Sequence, residues 1–570
     1  MTVHGFRIFD AGEAMKKLFL ILILMLVWPL AAWGVTYYVS NASPVGSDSN
    51  NGTSPSTPWL TIAKVNASKF QPGDSVLFNR GCTWREQLTV SSSGTSGNPI
   101  TFGAYGSGVL PTITGADLLN SAWTQTSGTV WQTKVTTKPK MVIFNGIMGI
   151  GVSGVSSIVS ANEWYWAPNV LCVYSTSNPA TAFTNPGVEA AQRDFGFLCK
   201  KGYVTLQDVH VTHVNGGSGG GAIYFSNMWT DSTVIASRQA IGVVSDYNYN
   251  AGIEAGALGT AVTNVLVQNC TCSHNGDAGI LIGNWDSPIT GVTIQGNVVS
   301  NNMRRSTSLM SITHGGIYLD SVGNGTSYDH TLTNAVVQGN TVTGTVYEPG
   351  IWIDTVGSNV IVQDNTTENN LDGIMVEDSD GVQVSYNQSY NNTRLGIQLT
   401  RLVHNNTVYN NTVYGCATGI ATGWTNPPAG GVTGNLVKNN ISWGNSSTAF
   451  SAQNGGENDG TNGSGNVYSY NDFGPTASNF LQWGSSTFYS TLSAWQTASS
   501  QSNNLASDPL FVSTSTPDFH LDAGSPAIEA GVNVGLTTDY AGNLVGTPPT
   551  IGAYEYYSLS APTGLRLKTP

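Results

Sequence analysis

The sequence predicts an all-β solenoid, in which short strands stack coil upon coil along one axis. A glycine–isoleucine step recurs every 23 residues between residues 350 and 423, and an earlier copy stands at Gly316-Ile317. The regular copies are Gly350-Ile351, Gly373-Ile374, Gly396-Ile397 and Gly419-Ile420. A period in the low twenties with one strand motif per repeat is typical of proteins whose units pack only on their neighbours.

The composition agrees with many short strands joined by tight turns. Only 10% of the 570 residues are charged, and 67 are glycine. Ordinary soluble domains carry roughly 25% charged residues. Gly and Asn tolerate the positive φ angles of tight turns. The net charge of −13 argues against a nucleic-acid partner, because nucleic acids select basic surfaces.

A second motif marks another strand in each coil. Two apolar residues flank a variable one, and Gln, a variable residue and Asn follow, as in residues 292–297, 335–340 and 360–365. The alternation buries one face of the strand, and the Asn turns the chain. We expect the Asn side chains of successive coils to form a ladder along the axis.

The glycine step also orders an acidic column. Counting from each glycine, positions +1 and +3 are apolar and point inward, so positions +2 and +4 point outward. Position +4 holds Asp320, Asp354, Glu377 and then Thr400, and position +2 holds Tyr318, Trp352, Met375 and Gln398. Since neighbouring coils are about 4.8 Å apart, adjacent carboxyl groups can reach the ~5–5.5 Å separation of a retaining glycosidase. Close carboxylates also raise one pKa, which keeps a general acid protonated.

The segments at both ends carry a further signal. Tyr37-Tyr38-Val39 and Pro72-Gly73-Asp74 stand near the start, and Asp508-Pro509-Leu510-Phe511-Val512 and Ile551-Gly552-Ala553-Tyr554-Glu555-Tyr556 near the end. They resemble the terminal segments of secreted bacterial pectate-lyase-like proteins. The resemblance implies an all-β, right-handed parallel β-helix with an N-terminal cap. That superfamily includes polysaccharide lyases and glycoside hydrolases, so it implies a saccharide substrate without specifying the reaction.

A second, local resemblance concerns the acidic column. Gly350-Ile351-Trp352-Ile353-Asp354, followed one coil later by Asp372-Gly373-Ile374-Met375-Val376-Glu377, is similar to the catalytic pair of β-helical xylosidase-type glycosidases. It implies that Asp354 is the nucleophile and Glu377 the acid/base. We expect Asp320 to stabilise the pair or to bind the sugar, without a required cofactor. Substrate-binding candidates are Trp352, Tyr318, His314, Arg394 and Arg401, and we expect the two aromatic rings to form a platform that stacks against sugar faces.

Three other interpretations of the column stay open. Asp378 and Asp380 follow Glu377 and make a Ca²⁺ site conceivable, since this cation prefers oxygen ligands. A Ca²⁺-dependent lyase acting on a uronate polymer would need a base, and residues 202–437 contain no lysine. Arg304, Arg305, Arg394 and Arg401 are its candidates. Solvated acids on a non-catalytic carbohydrate-binding or adhesin solenoid are the third interpretation.

The N-terminus predicts export. Lys16 and Lys17 precede the apolar run of residues 18–30, and Ala32-Trp33-Gly34 fits a cleavage site between small residues. We expect a secreted, extracellular or periplasmic monomer, with no membrane association after cleavage. We divide the chain into an upstream extension with signal peptide (1–34), an N-terminal cap with the first strands (35–115), the parallel β-helix (116–556) and a tail or linker stub (557–570).

Six cysteines remain to be explained: Cys82, Cys172, Cys199, Cys270, Cys272 and Cys416. Export permits disulfides. We consider a Cys172–Cys199 bond, and as the alternative a set of small buried side chains in a β-core.

Overall fold

The chain winds into a parallel β-helix. The computed structural model describes residues 34–43, 45–120, 122–216, 220–226, 235–257, 259–284, 286–305, 314–321, 330–423, 430–474 and 480–557. Each regular coil adds one strand to each of three long sheets, named A, B and C in the order in which the chain enters them. The predicted all-β solenoid is therefore confirmed, while the predicted signal peptide and most of the tail lie outside the described residues.

The three sheets have the following strands. Sheet A contains Thr36–Val39, Ser75–Asn79, Ile100–Tyr105, Val204–Gln207, Ile235–Ile241, Val262–Gln268, Ile289–Gln295, Leu332–Gln338, Val360–Gln363, Val382–Ser385, Thr407–Tyr409, Leu436–Lys438 and Val467–Ser469. Sheet B contains Thr83–Trp84, Thr112–Thr114, His210–Thr212, Val244–Asp246, Thr271–Ser273, Val298–Ser300, Thr341–Thr343, Thr366–Glu368, Gln388–Tyr390, Thr412–Tyr414, Ile441–Trp443 and Asp472–Phe473. Sheet C contains Leu88–Thr89, Phe197–Cys199, Ile223–Phe225, Ile253–Ala257, Ile280–Asn284, Ile317–Ser321, Pro349–Asp354, Asp372–Glu377, Leu395–Thr400, Thr418–Thr422, Thr448–Ala452 and Leu481–Trp483, and ends with the antiparallel strand Phe488–Tyr489.

Shorter elements complete the described structure. Parallel strands Val403–His404, Val432–Thr433 and Gly463–Ser464 form a small sheet, and Phe511–Ser513 pairs with Asp518–Leu521. The α-helices are α1 (Ile62–Ala67), α2 (Pro179–Ala182) and α3 (Leu492–Ser499), and Val155–Ser157 is a 3₁₀ turn. No helix in the described part of the chain is both long enough and apolar enough to cross a membrane.

Residues 116–191 differ from the prediction, which placed them in the parallel β-helix. They form two separate sheets. The first is antiparallel, with the strand order Ile147–Met148, Val142–Phe144, Val188–Ala191, Ala116–Leu118. The second has the order Ile150–Gly151, Glu163–Ala167, Val170–Tyr174, Val130–Lys134, Thr124–Ser127 and is antiparallel except for the parallel pair of its first two strands. Trp123, Phe144, Trp164 and Leu171 belong to a hydrophobic cluster of their own. A two-residue turn ending at Asn169, with φ of 68°, reverses the chain and pairs its flanking strands as a hairpin. Other pairings join distant strands, such as Ala116–Leu118 with Val188–Ala191.

The interior of the helix follows the predicted alternation. Ile351, Ile353, Ile374 and Val376 are fully buried in the main core. Their intervening neighbours point to the outer surface of sheet C, as strand geometry requires.

The predicted Asn ladder is present at the corner between sheets A and B. The side-chain amide of Asn340 donates to Asn365, that of Asn365 to Asn387, and that of Asn387 to Asn411, each over 2.9 Å. Buried polar groups at this corner thus find partners in the next coil, which keeps the coils in register.

A close approach explains the glycine of the repeat. A Cβ on Gly373 would lie 1.9 Å from Ser389 Oγ, and one on Gly396 would lie 2.2 Å from Val413 Cγ1. Side chains of sheet B therefore reach beneath the start of each sheet C strand, where only glycine leaves room.

The six cysteines are all buried and unbonded. The Cys172–Cys199 disulfide is therefore wrong, and the alternative of small buried side chains is confirmed. Cys172 packs with Val130 and Ile158 in the antiparallel insertion, whereas Cys199 belongs to the main core.

The C-terminal segment returns along the outside of the helix. The hydroxyl groups of Tyr540 and Thr366 are 2.8 Å apart, and Gln388 donates to the Tyr554 hydroxyl over 3.0 Å. Fully buried Trp495 of α3 packs against Phe450 and Phe473 near the last coil.

Candidate active site

The predicted acidic column exists on the outer face of sheet C. Asp320 pairs in register with Asp354, Asp354 with Glu377, and Glu377 with Thr400. Adjacent strands lie about 4.8 Å apart, so Asp354 and Glu377 occupy neighbouring rungs. The predicted register is confirmed, and the catalytic roles of these residues stay predictions.

The aromatic column next to the acids is buried, which departs from the expected sugar-stacking platform. Tyr318, Trp352 and Met375 are only 3%, 8% and 7% exposed and form a separate cluster with Leu281. The Tyr318 and Trp352 ring centroids are 5.0 Å apart. Bulky side chains on successive rungs cover each other. This column therefore packs beside the acids and leaves little exposed surface for a sugar.

Asp354 is held by two hydroxyl groups. Tyr318 donates to Oδ2 over 2.9 Å and Thr355 donates to Oδ1 over 2.8 Å. Burial raises the pKa of Asp354, while both hydroxyl groups oppose that increase. Burial and the Asp354 charge hold the pKa of Tyr318 well above its ordinary value, so Tyr318 remains a donor.

Glu377 is in a different environment. Burial, together with the charges of Asp354 and Asp378, raises its pKa to about 7. Arg401 Nε lies 3.5 Å from Glu377 Oε1 and 3.1 Å from Asp378 Oδ2. Arg401 and the Trp352 indole act to lower the pKa of Glu377, but burial and the two carboxylates prevail. The site therefore holds a carboxyl group whose pKa lies near neutral pH.

The residues immediately after the acidic column complete the site, and their backbone conformation sets their position. Thr355, Asp378 and Arg401 stand one residue beyond Asp354, Glu377 and Thr400, with φ of 55°, 45° and 65°. A β-branched residue such as Thr355 rarely adopts this left-handed conformation. The sequence prediction missed Thr355, because residue spacing does not show where a strand ends in this conformation.

The two carboxylates predicted to bind calcium both have side-chain partners. Asp378 pairs with Arg401, and its Oδ1 accepts from the backbone of Leu402 over 3.0 Å. Asp380 lies 2.7 Å from His404 Nδ1 and 3.2 Å from His330 Nδ1. Among the described residues, no group of three or more His, Cys, Asp or Glu side chains is arranged to hold a metal.

Two predicted substrate-binding residues lie at the opposite end of the strands. Arg394 binds both oxygens of Asp372, which is fully buried at the start of its strand. Five rises of ~3.3 Å each separate Asp372 from Glu377 along the strand, so Arg394 does not border the acids. His314 binds Asp277 over 2.7 Å and packs on the Tyr318 ring.

The remaining arginines predicted as lyase bases are also engaged. Arg305 binds Asp277 over 2.8 Å, and the Arg304 guanidinium lies 5.9 Å from the centre of the Tyr247 ring. Arg238, which the sequence prediction overlooked, is fully buried and donates to the carbonyls of Phe225 and Ser226.

Comparison with known proteins agrees with this architecture. Residues 305–464 match the family model described as a right handed beta helix region. The structure of XylC in complex with xylose has 16% identity and a TM-score of 0.53, over 71% of this chain and 75% of that one. At this identity the likeness establishes the fold alone, a right-handed parallel β-helix.

A curated relative is similar over a shorter stretch. The lacto-N-biosidase of Bifidobacterium longum is 41% identical over 98 residues, which are 16% of this chain. The match spans only 6% of that relative's length. A solved lacto-N-biosidase of family GH136 from Eubacterium ramulus has 13% identity and a TM-score of 0.39, over 79% of this chain and 67% of that one.

Proposed function

We propose that this chain is a secreted glycoside hydrolase that cleaves a plant or algal polysaccharide or oligosaccharide with Asp354 and Glu377. The observation that carries the proposal is the unequal environment of two carboxyl groups on neighbouring rungs. Asp354 accepts from two hydroxyl groups, whereas the pKa of Glu377 is raised to about 7. Two carboxyl groups in unequal environments can divide the roles of nucleophile and acid in glycoside hydrolysis.

The spacing favours a retaining mechanism. Glu377, as the acid, gives its proton to the glycosidic oxygen while the bond from that oxygen to the anomeric carbon breaks. Asp354 attacks the same carbon and forms a glycosyl ester. Glu377, now ionised, takes a proton from water, the resulting oxygen attacks the anomeric carbon, and the ester breaks to regenerate Asp354. Neighbouring strands, ~4.8 Å apart, suit this direct attack better than the wider gap of an inverting pair.

The charge of the site indicates a neutral sugar. Asp354, Glu377 and Asp378 are close to Arg401, which already pairs with two of them. A uronate would add negative charge to this surface without a cation to receive it. Support for a saccharide also comes from the similarity to lacto-N-biosidase over 98 residues.

Hydrolysis fits the arginine contacts better than β-elimination does. An elimination base must be unprotonated and within reach of the substrate. Arg394 binds a buried carboxylate that raises its pKa further, and Arg401 lies between two carboxylates.

The test compares Asp354→Asn and Glu377→Gln with the parent on a panel of neutral and uronic polysaccharides. We expect both variants to lose at least 10³-fold in reducing-sugar release, a loss of about 4 kcal/mol in transition-state stabilisation. On an aryl glycoside whose phenol leaves without protonation, Glu377→Ala retains the first step and Asp354→Ala does not. The nucleophile and the acid are thereby distinguished.

A matched control and a second readout complete the experiment. Glu368→Gln changes a carboxylate of sheet B, between the two acids in sequence, and should leave activity unchanged. New absorbance from an unsaturated uronide would instead establish a lyase. Binding without release of either product would establish a non-catalytic solenoid.

A further inference from the structure

We infer that the molecule has a second saccharide-binding site, remote from the acidic column and independent of the proposed hydrolysis. It is a cleft of about 510 Å³ between the corner of sheets A and B and the returning segment 538–542. Its floor contains Gln268, Gln295 and Gln338, which occupy successive rungs in register. We call this cleft the glutamine cleft.

The opposite wall of the glutamine cleft is a fixed loop. Asp539 is buried, and its carboxylate accepts from the backbone N–H of Asn543 over 2.7 Å and of Glu555 over 2.9 Å. The neighbouring Tyr540 is fixed through its hydroxyl contact with Thr366. The cleft is therefore preformed, which lowers the entropic cost of binding a ligand.

The glutamine row leaves hydrogen-bonding groups available to a ligand. Gln268 donates to the amide oxygen of Gln295 over 3.3 Å, and Gln338 donates to Asp364 Oδ2 over 3.0 Å. Within the described residues, the amide nitrogen of Gln295, the amide oxygen of Gln338 and Asp364 Oδ1 take no protein partner. Gln295 thus offers a donor, and Gln338 and Asp364 offer acceptors, on neighbouring rungs ~4.8 Å apart.

The chemistry of this lining selects a neutral polyhydroxylated ligand. Amide groups can donate to and accept from hydroxyl groups, and a carboxylate can accept from them. The residues that line the cleft include no Lys, Arg or His, so nothing there would neutralise a uronate. The rung interval is close to the length of one sugar ring, so a linear glycan lying along the axis can meet several rungs with successive rings.

Native affinity electrophoresis tests this site with soluble arabinoxylan, galactan and xyloglucan, and with polygalacturonate as the anionic probe. The Glu377→Gln variant serves as the parent, so that no polymer is cut. We expect at least one neutral polymer to retard it and polygalacturonate not to do so. In that background Gln295→Ala/Gln338→Ala should weaken binding by roughly tenfold to thirtyfold, because two hydrogen bonds are lost.

The matched control is Gln363→Ala. Gln363 is the next rung of the same column, paired with Gln338, but it does not line the cleft. It should bind like the parent, and circular dichroism and Tm should be alike in all variants. The proposal is overturned if no neutral polymer retards the parent, if polygalacturonate does, if the double variant is retarded as strongly as the parent, or if Gln363→Ala weakens binding equally. Polymer held by the acidic column alone would give the third of these results.

Discussion

Removing the guanidinium beside Glu377 should extend activity to higher pH. Glu377, with a pKa of about 7, must be protonated to act as the acid, so kcat/KM should fall as pH rises through that value. Arg401, 3.5 Å away, favours the ionised form. Arg401→Gln removes that positive charge, so the pKa of Glu377 rises and the alkaline limb of the profile moves to higher pH.

The size of the displacement follows from distance and exposure. Two unit charges at about 4 Å interact by ~1 kcal/mol in water and ~4 kcal/mol at the effective dielectric of a protein surface. The Arg401 side chain is 41% exposed, so solvent screening places the interaction near the lower value. About 1 kcal/mol corresponds to a displacement of roughly 0.7 in pH.

The assay is the pH dependence of kcat/KM, measured on the substrate found by the polysaccharide panel. The matched control is Arg304→Gln, which removes an exposed guanidinium that faces Tyr247 and should leave the limb in place. A limb that stays fixed in Arg401→Gln, or moves to lower pH, would refute the assignment of Glu377 as the titrating acid.

Two further substitutions test the contact between Tyr318 and Asp354 and the role of glycine in the repeat. Tyr318→Phe removes a donor to Asp354, which raises the pKa of that carboxyl, so the acidic limb should move to higher pH. We expect kcat/KM to fall roughly tenfold to a hundredfold, since hydrogen bonds to charged groups contribute ~1.5–3 kcal/mol. An unchanged acidic limb would argue against this contact. Gly373→Ala places a Cβ 1.9 Å from Ser389 Oγ, so we expect a loss of about 1–3 kcal/mol from overpacking, seen as a lower Tm. The matched control is Gly154→Ala, where φ is −172° and the nearest atom to an added Cβ is 4.0 Å away; equal losses would contradict the packing argument.

The repeat made the acidic column predictable from the sequence alone. In a solenoid each coil stacks on the next, so residues one period apart become neighbours on adjacent strands. Asp354 and Glu377 are 23 residues apart, and strand alternation puts both outside. The same reasoning predicted that Ile351 and Ile353 face the core, and both are fully buried.

Side-chain contacts across the column could not be predicted in this way. The expected aromatic platform is buried because Tyr318, Trp352 and Met375 pack on each other, which depends on rotamers and not on spacing. Arg394 was expected near the acids but binds Asp372 at the far end of the strand. Its sequence position, two residues before a glycine, does not specify which end of the strand its long side chain reaches.

The sequence by itself therefore determined the solenoid, its inner and outer faces and the order of acids along one face, because period and parity are properties of the chain. Tertiary structure decided that residues 116–191 leave the helix as two separate sheets, that the cysteines stay unbonded, and that Arg401 stands between Glu377 and Asp378. It also placed the C-terminal segment over the glutamine row. These outcomes rest on contacts between residues far apart in sequence, or on where a strand ends in a left-handed residue, and neither is encoded in a local period.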